Sequence, residues 1–250
     1  MKKNVTGLGV DDVGIGAVSD YKSSLSPKIE TIFPQAKSMI VMAFKELSNC
    51  ESENKRIAMS GRMDLMELMK SCNYKLARFL EREASCKAMS TPLSYPLNMS
   101  REARYGLVAD FSQSHAAIAA GLGNWGSNNL ALHPKFGARV LFATVLCEAQ
   151  LPPDPPFTED LCLKCDVCVE GCSGHALDEE GKTDEMKCMK HSQPFGIGAN
   201  MLFWGKFMSA APEEWEKMIT SSEYMSLYQS QMIGFQYFCF HCLAKCPVGD

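Results

Sequence analysis

Apolar residues run almost without interruption through two segments in the first part of the chain. Residues 38–44 (SMIVMAF) and 138–147 (ARVLFATVLC) carry them at successive positions, a pattern typical of strands that are buried on both faces. Residues 12–18 (DVGIGAV) predict a third, shorter strand. We therefore expect a sheet at the centre of this part of the molecule.

Helical spacing dominates the sequence between these strands. From residue 65 to residue 80, apolar side chains recur every three or four positions, and the other face carries mostly charged residues. This pattern predicts a long amphipathic helix. Strands and helices that alternate over residues 1–150 favour a layered α/β or α+β domain.

A second, shorter helix is predicted from small residues at 114–120. Ser112 precedes it as a candidate N-cap. Gly121 and Gly123 end it, because glycine readily adopts the left-handed dihedral angles of a helix C-terminus. Small residues, backbone amides and polar side chains across 109–133 suit the close approach of a large flat cofactor, although the same pattern also fits plain architecture.

A proline-rich connector at 151–157 (LPPDPPF) separates two regions. Prolines at this density favour a stiff, extended conformation. We therefore predict one domain at residues 1–150 and a smaller module at residues 151–250. Within the module, Pro212 followed by two glutamates predicts a helix start, since acidic residues are favourable at a helix N-terminus.

The module carries two runs of cysteines in ferredoxin-like spacing. A C-x2-C-x2-C loop wraps three thiolates around one iron–sulfur cluster, and the fourth cysteine of such a run usually binds the other cluster. That logic predicts two [4Fe–4S] clusters with four thiolates each. The predicted first cysteine set comprises Cys162, Cys165, Cys168 and Cys246, and the predicted second cysteine set comprises Cys172, Cys188, Cys239 and Cys242.

Two other uses of cysteine compete with this prediction. Zinc also binds paired C-x2-C motifs, but a third cysteine at the same spacing and the Cys246-Pro247 ending favour iron and sulfur. A disulfide framework is arithmetically possible with 12 cysteines. However, residues 1–20 lack the continuous apolar segment of a secretion signal, so we expect a cytoplasmic chain. The remaining cysteines, which show no ligand spacing and are expected to be ordinary thiols, are Cys50, Cys72, Cys86 and Cys147.

Charge and hydropathy narrow the range of partners. The formal net charge is −4, and acidic side chains outnumber basic ones in residues 161–250. An acidic module suits docking to a basic redox partner, and the lack of a basic stripe argues against nucleic acid. No apolar run approaches the roughly 18 residues of a membrane span, so we expect no span.

Residues 115–146 (HAAIAAGLGNWGSNNLALHPKFGARVLFATVL), the connector and the CLKCDVCVEGC run together resemble the epoxyqueuosine reductase and reductive dehalogenase superfamily. The resemblance implies a nitroreductase-like α/β domain that binds a corrinoid (cobalamin), followed by a two-cluster ferredoxin-like module. Electrons from an external low-potential donor of the ferredoxin or flavodoxin type would pass through both clusters to the cobalt. The reduced cofactor would then cleave a bond in a small-molecule substrate, under anaerobic conditions.

The resemblance also implies candidate site residues. An acidic residue shortly before the AGLG segment can serve as proton donor in such proteins, and Asp110 is the positional match. His115 is a second candidate, for proton transfer or cofactor contact. The predicted cofactor contacts, all within the segment 109–133, are Ser112, Gly121, Gly123, Asn124 and Asn128.

Several departures from the family pattern leave the function open. The segment 124–128 (NWGSN) lacks the lysine usual in the tRNA-modifying branch, Cys172 is followed by serine rather than proline, and no twin-arginine signal of dehalogenases is present. An iron–sulfur reductase using a corrinoid, or alternatively a flavin, is our first hypothesis. An electron carrier or reductive activator of a corrinoid protein is the second, a scaffold with structural clusters is the third, and a tRNA epoxyqueuosine reductase ranks below the first two.

Overall fold

Four strands form an antiparallel sheet at the centre of residues 1–150. The structure is a computed structural model that describes residues 2–94, 96–178, 182–234 and 237–249. The sheet strands are β1 (Asp12–Ala17), β2 (Ser38–Lys45), β3 (Ala88–Ser90) and β6 (Val140–Cys147), in the spatial order β1-β2-β6-β3. A separate two-stranded hairpin pairs β4 (Asn124–Trp125) with β5 (Ala131–Leu132). The three strands expected from the sequence are confirmed, and their antiparallel pairing makes the domain α+β.

Helices pack on both sides of this sheet and fill most of the cysteine-rich module. In the first domain the helices are α1 (Lys2–Thr6), α2 (Ile29–Ile32), α3 (Lys55–Glu83) and α4 (Gln113–Ala119). In the module they are α5 (Val167–Glu170), α6 (Glu185–Ser192), α7 (Ile197–Ser209), α8 (Pro212–Ile219), α9 (Ser222–Ile233) and α10 (His241–Ala244). The helix starts predicted at Ser112 and Pro212 are confirmed.

The central strands are apolar throughout because each face meets a different helix. In β2, Ile40, Met42 and Phe44 pack with the apolar side of α3, whereas Met39 and Val41 pack with α4. All five side chains are fully buried. The pattern therefore reflects three layers, helix on sheet on helix, around two apolar cores.

Close packing between β1 and α4 fixes the start of the candidate site. A side chain at Gly14 would overlap the carbonyl oxygen of Ala120 and lie 2.9 Å from Leu122 Cγ. Because glycine leaves this space free, the C-terminal end of α4 rests directly on the edge strand. The glycine turn that follows α4 is held there.

The connector lies against the same edge of the sheet. The Asp154 backbone N–H donates to the Ile15 carbonyl at 2.8 Å, and the Ile15 N–H donates to the Asp154 carboxylate at 2.7 Å. Proline has no backbone N–H, so a proline-rich segment can donate backbone hydrogen bonds to a strand only from the residues between its prolines. Asp154 is that residue, and it anchors the connector to the first domain. The nitroreductase-like and ferredoxin-like descriptions of the two regions stay predictions.

Candidate functional site

The four cysteines of the first set line one small cavity. This cavity has a volume of about 20 Å³, and its other walls include Ser127 and Val248. Cys162 and Cys165 come from the loop that leads into α5, Cys168 lies in α5 itself, and Cys246 follows α10. Cys165 is exposed, whereas Cys246 is buried. Two segments far apart in the sequence thus converge on one pocket with four sulfur atoms.

Hydrogen bonds favour the thiolate form of Cys162. The Ser127 N–H lies 3.4 Å from Cys162 Sγ and the Ser127 hydroxyl 3.3 Å from it. Burial raises the pKa of Cys162, but these two hydrogen bonds and a third from the Lys164 N–H together outweigh it, and the pKa lies below its ordinary value. The thiolate is the form that binds metal.

The cysteines of the second set also lie close together, and all four are half-buried. Burial, together with the neighbouring thiols Cys239, Cys188 and Cys172, raises the pKa of Cys242 to about 12. Burial likewise raises the pKa of Cys188, with Cys239 and Cys172 adding to it. The Ala176 N–H lies 3.3 Å from Cys172 Sγ. Four thiols this close cannot all ionise without a nearby positive charge, which is what bound iron supplies.

Neither set is arranged around a single ion. Among the described residues, no three histidine, cysteine or acidic side chains converge closely enough to hold one metal ion. In a cubane cluster each thiolate binds a different iron atom. The donor chemistry of both sets therefore fits a cluster.

One turn of the first domain contacts both cysteine sets. We call residues 126–130 the bridging turn; it lies between β4 and β5. Its Ser127 bonds to Cys162, and the Asn128 side-chain N–H donates to the Cys242 carbonyl at 3.2 Å. Asn129, with a left-handed φ of 56°, donates to Thr183 Oγ1 at 2.6 Å. The bridging turn thus fixes the module relative to the sheet.

The predicted cofactor contacts nearby approach protein backbone. A side chain at Gly121 (φ 72°) would overlap the Pro155 carbonyl, and one at Gly123 (φ 145°) would overlap the Leu132 carbonyl. The Asn124 side-chain N–H donates to the carbonyl of Glu159. These residues pack the turn after α4 against the connector and β5. Their predicted role in cofactor binding stays a prediction.

Asp110, Ser112 and His115 line a second cavity at the N-terminus of α4. Its volume is about 320 Å³. Ser112 Oγ accepts the His115 N–H at 3.4 Å as the helix cap and lies 2.8 Å from His115 Nδ1. The imidazole contacts the Trp125 ring edge-on at 4.9 Å between centroids. Burial lowers the pKa of His115, so the ring is neutral at neutral pH.

A much larger cavity opens beside it, between the sheet domain and the helices of the module. Its volume is about 1230 Å³. The described residues that line both cavities are Leu93, Ser94, Leu97, Leu107 and Gln113. We refer to these as the small cavity and the large cavity. Asp110 and His115 therefore lie in a recess next to the larger space.

The far wall of the large cavity is the apolar face of α7. Ile197, Met201, Trp204 and Met208 follow one another at helical spacing and line the cavity. The exposed fraction is 71% for Met201 and 77% for Met208. Sequence reasoning missed this wall, although methionine and tryptophan at steps of three and four in 197–208 were the available signal.

Arg62 is the one charged side chain among the described residues that line the large cavity. It forms an ion pair with Glu46, whose side chain is 1% exposed. Its guanidinium lies 5.1 Å from the Phe240 ring and 6.0 Å from the Tyr237 ring. Burial raises the pKa of Tyr237, and the thiol of Cys242 adds to this.

The second cysteine set is linked by contacts to one wall of the large cavity. Arg62 lines the cavity and faces the Tyr237 ring, and Tyr237 is close enough to Cys242 for that thiol to raise its pKa. Met189, which follows Cys188 on α6, also lines the cavity. The four remaining cysteines are all buried: Cys50, Cys72, Cys86 and Cys147. None of the helices among the described residues combines the length and apolar character that a bilayer crossing requires.

Comparisons with known proteins point to one group. No protein-family model matches the chain. A segment of 80 residues, 32% of the chain, is 36% identical to the epoxyqueuosine reductase of Bacillus anthracis. The match spans only about a fifth (21%) of that relative's length.

Solved structures with a similar fold come from the same group. An epoxyqueuosine reductase from Streptococcus thermophilus matches 98% of this chain and 64% of its own, with a TM-score of 0.57 and 12% identity. A reductive dehalogenase studied for B12-dependent dehalogenation matches 92% of this chain and 36% of its own, with a TM-score of 0.58 and 16% identity. The resemblance to the epoxyqueuosine reductase and reductive dehalogenase superfamily that the sequence predicts is thus confirmed.

Proposed function

We propose that the protein is an iron–sulfur oxidoreductase that passes low-potential electrons through two [4Fe–4S] clusters to a corrinoid in the large cavity. The observation that carries this proposal is the position of the second cysteine set beside that cavity. A site that accepts electrons must lie next to the group that delivers them. Reductive chemistry on a small molecule follows from this arrangement.

The cysteine sets suit the clusters in donor type and number. The first cluster would be held by Cys162, Cys165, Cys168 and Cys246, and the second by Cys172, Cys188, Cys239 and Cys242. Backbone N–H groups at Ser127 and Ala176 already point at sulfur atoms, as hydrogen bonds to cluster ligands require. The neighbouring thiols of the second set need a positive charge to ionise together, and iron provides it.

The large cavity is bigger than a typical pocket for a small ligand and could hold a large cofactor. Pockets for drug-sized ligands occupy about 300–1,000 Å³, and this one reaches about 1230 Å³. Its walls are mostly apolar, and no described residue lining it is a histidine or cysteine. Packing on Met69, Phe142 and Trp204 would therefore hold the cofactor. A bound corrinoid would supply a metal that takes up electrons and cleaves a substrate bond; a flavin is the alternative cofactor.

Asp110 and His115 would manage protons beside this cavity. Asp110 lies in the small cavity, where a carboxylic acid can donate a proton to a group that projects from the large one. His115 is neutral and anchored by Ser112, so it can orient a substrate by hydrogen bonding without adding charge. Gln113 lines both the small and the large cavity, so the two cavities share a wall there.

Electrons would reach the protein at the first cysteine set. Cys165 is exposed and Leu163 beside it is 65% exposed, so a ferredoxin or flavodoxin type donor could approach this edge. The second set, which borders the large cavity, would be the last carrier. The exposed edge also favours the alternative function, an electron carrier that serves a corrinoid protein, but a cavity of this size is better explained by an enzyme.

The relatives indicate two classes of substrate. The relatives include epoxyqueuosine reductases and reductive dehalogenases. The expectation that nucleic acid is not a partner is not confirmed, because one solved epoxyqueuosine reductase contains an epoxyqueuosine-modified tRNA stem loop. An epoxyqueuosine-modified tRNA stem loop and a halogenated hydroxybenzoic acid, with which one reductive dehalogenase was solved in complex, are therefore both substrates to test.

Substituting Cys188→Ser is expected to remove about half of the iron, from roughly eight to roughly four atoms per chain, since one of two four-iron clusters loses a ligand. Iron should be counted after anaerobic purification. Cys86→Ser, a buried cysteine outside both sets, is the matched control and should keep all of it. Full iron retention in Cys188→Ser would refute the ligand assignment.

Substituting Met201→Asp is expected to weaken cobalamin binding at least about tenfold, equivalent to about 1.4 kcal/mol. The charge would face the apolar cavity, where its desolvation opposes binding. Equilibrium dialysis with hydroxocobalamin measures the affinity. Leu202→Asp is the control, because Leu202 is on the same helix and 69% exposed but does not line the cavity. Equal affinities for both variants would place the cofactor elsewhere.

Substituting Asp110→Asn is expected to lower turnover by about 100-fold or more, the usual contribution of a general acid. Turnover should be followed with a low-potential reductant, using an epoxyqueuosine-modified stem loop and a halogenated hydroxybenzoate as substrates. Iron content and cobalamin affinity should not change. Asp64→Asn, an exposed position on α3, is the control. Turnover equal to that of the parent protein would rule out Asp110 as proton donor.

A further inference from the structure

Ser127 presents two hydrogen-bonding groups to one sulfur atom, and a Cys162 thiolate, which can only accept, receives hydrogen bonds from both. Its backbone N–H lies 3.4 Å and its hydroxyl 3.3 Å from Cys162 Sγ. Ser127 lines the first-set cavity together with all four cysteines of that set. The contact joins two segments of the chain, because Ser127 belongs to the bridging turn and Cys162 to the cysteine run of the module. The hydroxyl is therefore placed by the fold of the first domain and not by the cysteine loop itself.

A hydrogen bond to a cluster ligand acts on the reduction potential. A [4Fe–4S] cluster takes up one electron from the reductant with no bond formed or broken in the protein, so the iron, sulfide and thiolate group gains one negative charge. A donor aimed at a thiolate stabilises that added charge, and hydrogen bonds to the sulfurs are among the factors that set cluster potentials. The effect is strengthened where the bond is shielded from water.

We propose that the Ser127 hydroxyl raises the reduction potential of the cluster on the first set and leaves that on the second set unchanged. The proposal rests on the proposed function, since it requires both clusters. Ser127 acts as a positioning residue that touches only the ligand. Cys165 of the same set is exposed, so an external electron donor would reach this cluster first. Its raised potential would make it the easier of the two clusters to reduce.

The neighbouring residue of the bridging turn shows why the effect is selective. Asn128 reaches the second set through the Cys242 carbonyl oxygen and not through a sulfur. In the second set a different serine, the buried Ser192 on the same helix as Cys188, forms a side-chain hydrogen bond with that cysteine. The two serines can be removed separately.

The test is a redox titration with dithionite, followed by electron paramagnetic resonance, on the full chain purified anaerobically. Ser127→Ala should shift one of the two midpoint potentials to a more negative value, and Ser127→Thr, which keeps a hydroxyl, should restore it. Ser192→Ala is the matched control and should leave that same potential unchanged. The Cys188→Ser variant assigns the signals, because it retains only the first-set cluster.

The outcomes separate the inference from the proposed function. If two clusters are present and Ser127→Ala titrates like the parent protein, the inference is wrong and the proposed function stands. If Ser127→Ala fails to fold, Ser127→Val against Ser127→Thr repeats the comparison with side chains of equal shape, and equal potentials in that pair overturn the inference. If the parent protein gives no iron–sulfur signal, the proposed function fails and the inference fails with it.

Discussion

The hydrogen bonds of the bridging turn are the constraint on which the candidate site depends. Residues 126–130 reach Cys162 through Ser127 and the Cys242 carbonyl through Asn128. Each bond joins the first domain to a different cysteine set. Thiolates that bind iron carry negative charge, and they are stable in a partly buried site only when donors and metal face them. The same turn therefore supplies donors and fixes where the module lies.

The remaining features of the site follow from that attachment. The close packing of Gly14 on Ala120 holds the end of α4, which positions the glycine turn and the β4–β5 hairpin that contains the bridging turn. With the module attached there, α7 faces the sheet across the large cavity. The second cysteine set then connects to the cavity wall through Tyr237 and Arg62. The packing of the sheet, the position of the cysteine sets and the cavity therefore depend on one another.

Local patterns in the sequence were enough to predict the main strands of the sheet and the helices α3 and α4. Strands β2 and β6 were predictable because a short, continuous apolar run is typical of a strand buried on both faces, and Ser112 was predictable as a cap because its role is local. The large cavity was not predictable, because it depends on how α7 lies relative to a sheet over 50 residues earlier in the chain. The same holds for Gly121 and Gly123, whose partners Pro155 and Leu132 are known only once the chain has folded.

Charge gave a weaker guide than contact geometry. The excess of acidic residues in 161–250 did not predict Arg62. Arg62 belongs to α3 of the first domain and is the charged side chain among the described residues that line the large cavity. Asn128, which was expected at a cofactor, donates to the Cys242 carbonyl and accepts from the Leu130 N–H. Its predicted role at a cofactor stays a prediction.

The central claim is that the second cysteine set delivers electrons to a corrinoid in the large cavity. Electron paramagnetic resonance of the anaerobic protein, reduced and loaded with cob(II)alamin, tests it most directly. We predict that the cob(II)alamin signal is broadened by a nearby reduced cluster, and that this broadening is lost in Cys188→Ser. An unbroadened cob(II)alamin signal in the parent protein with both clusters reduced would contradict the claim.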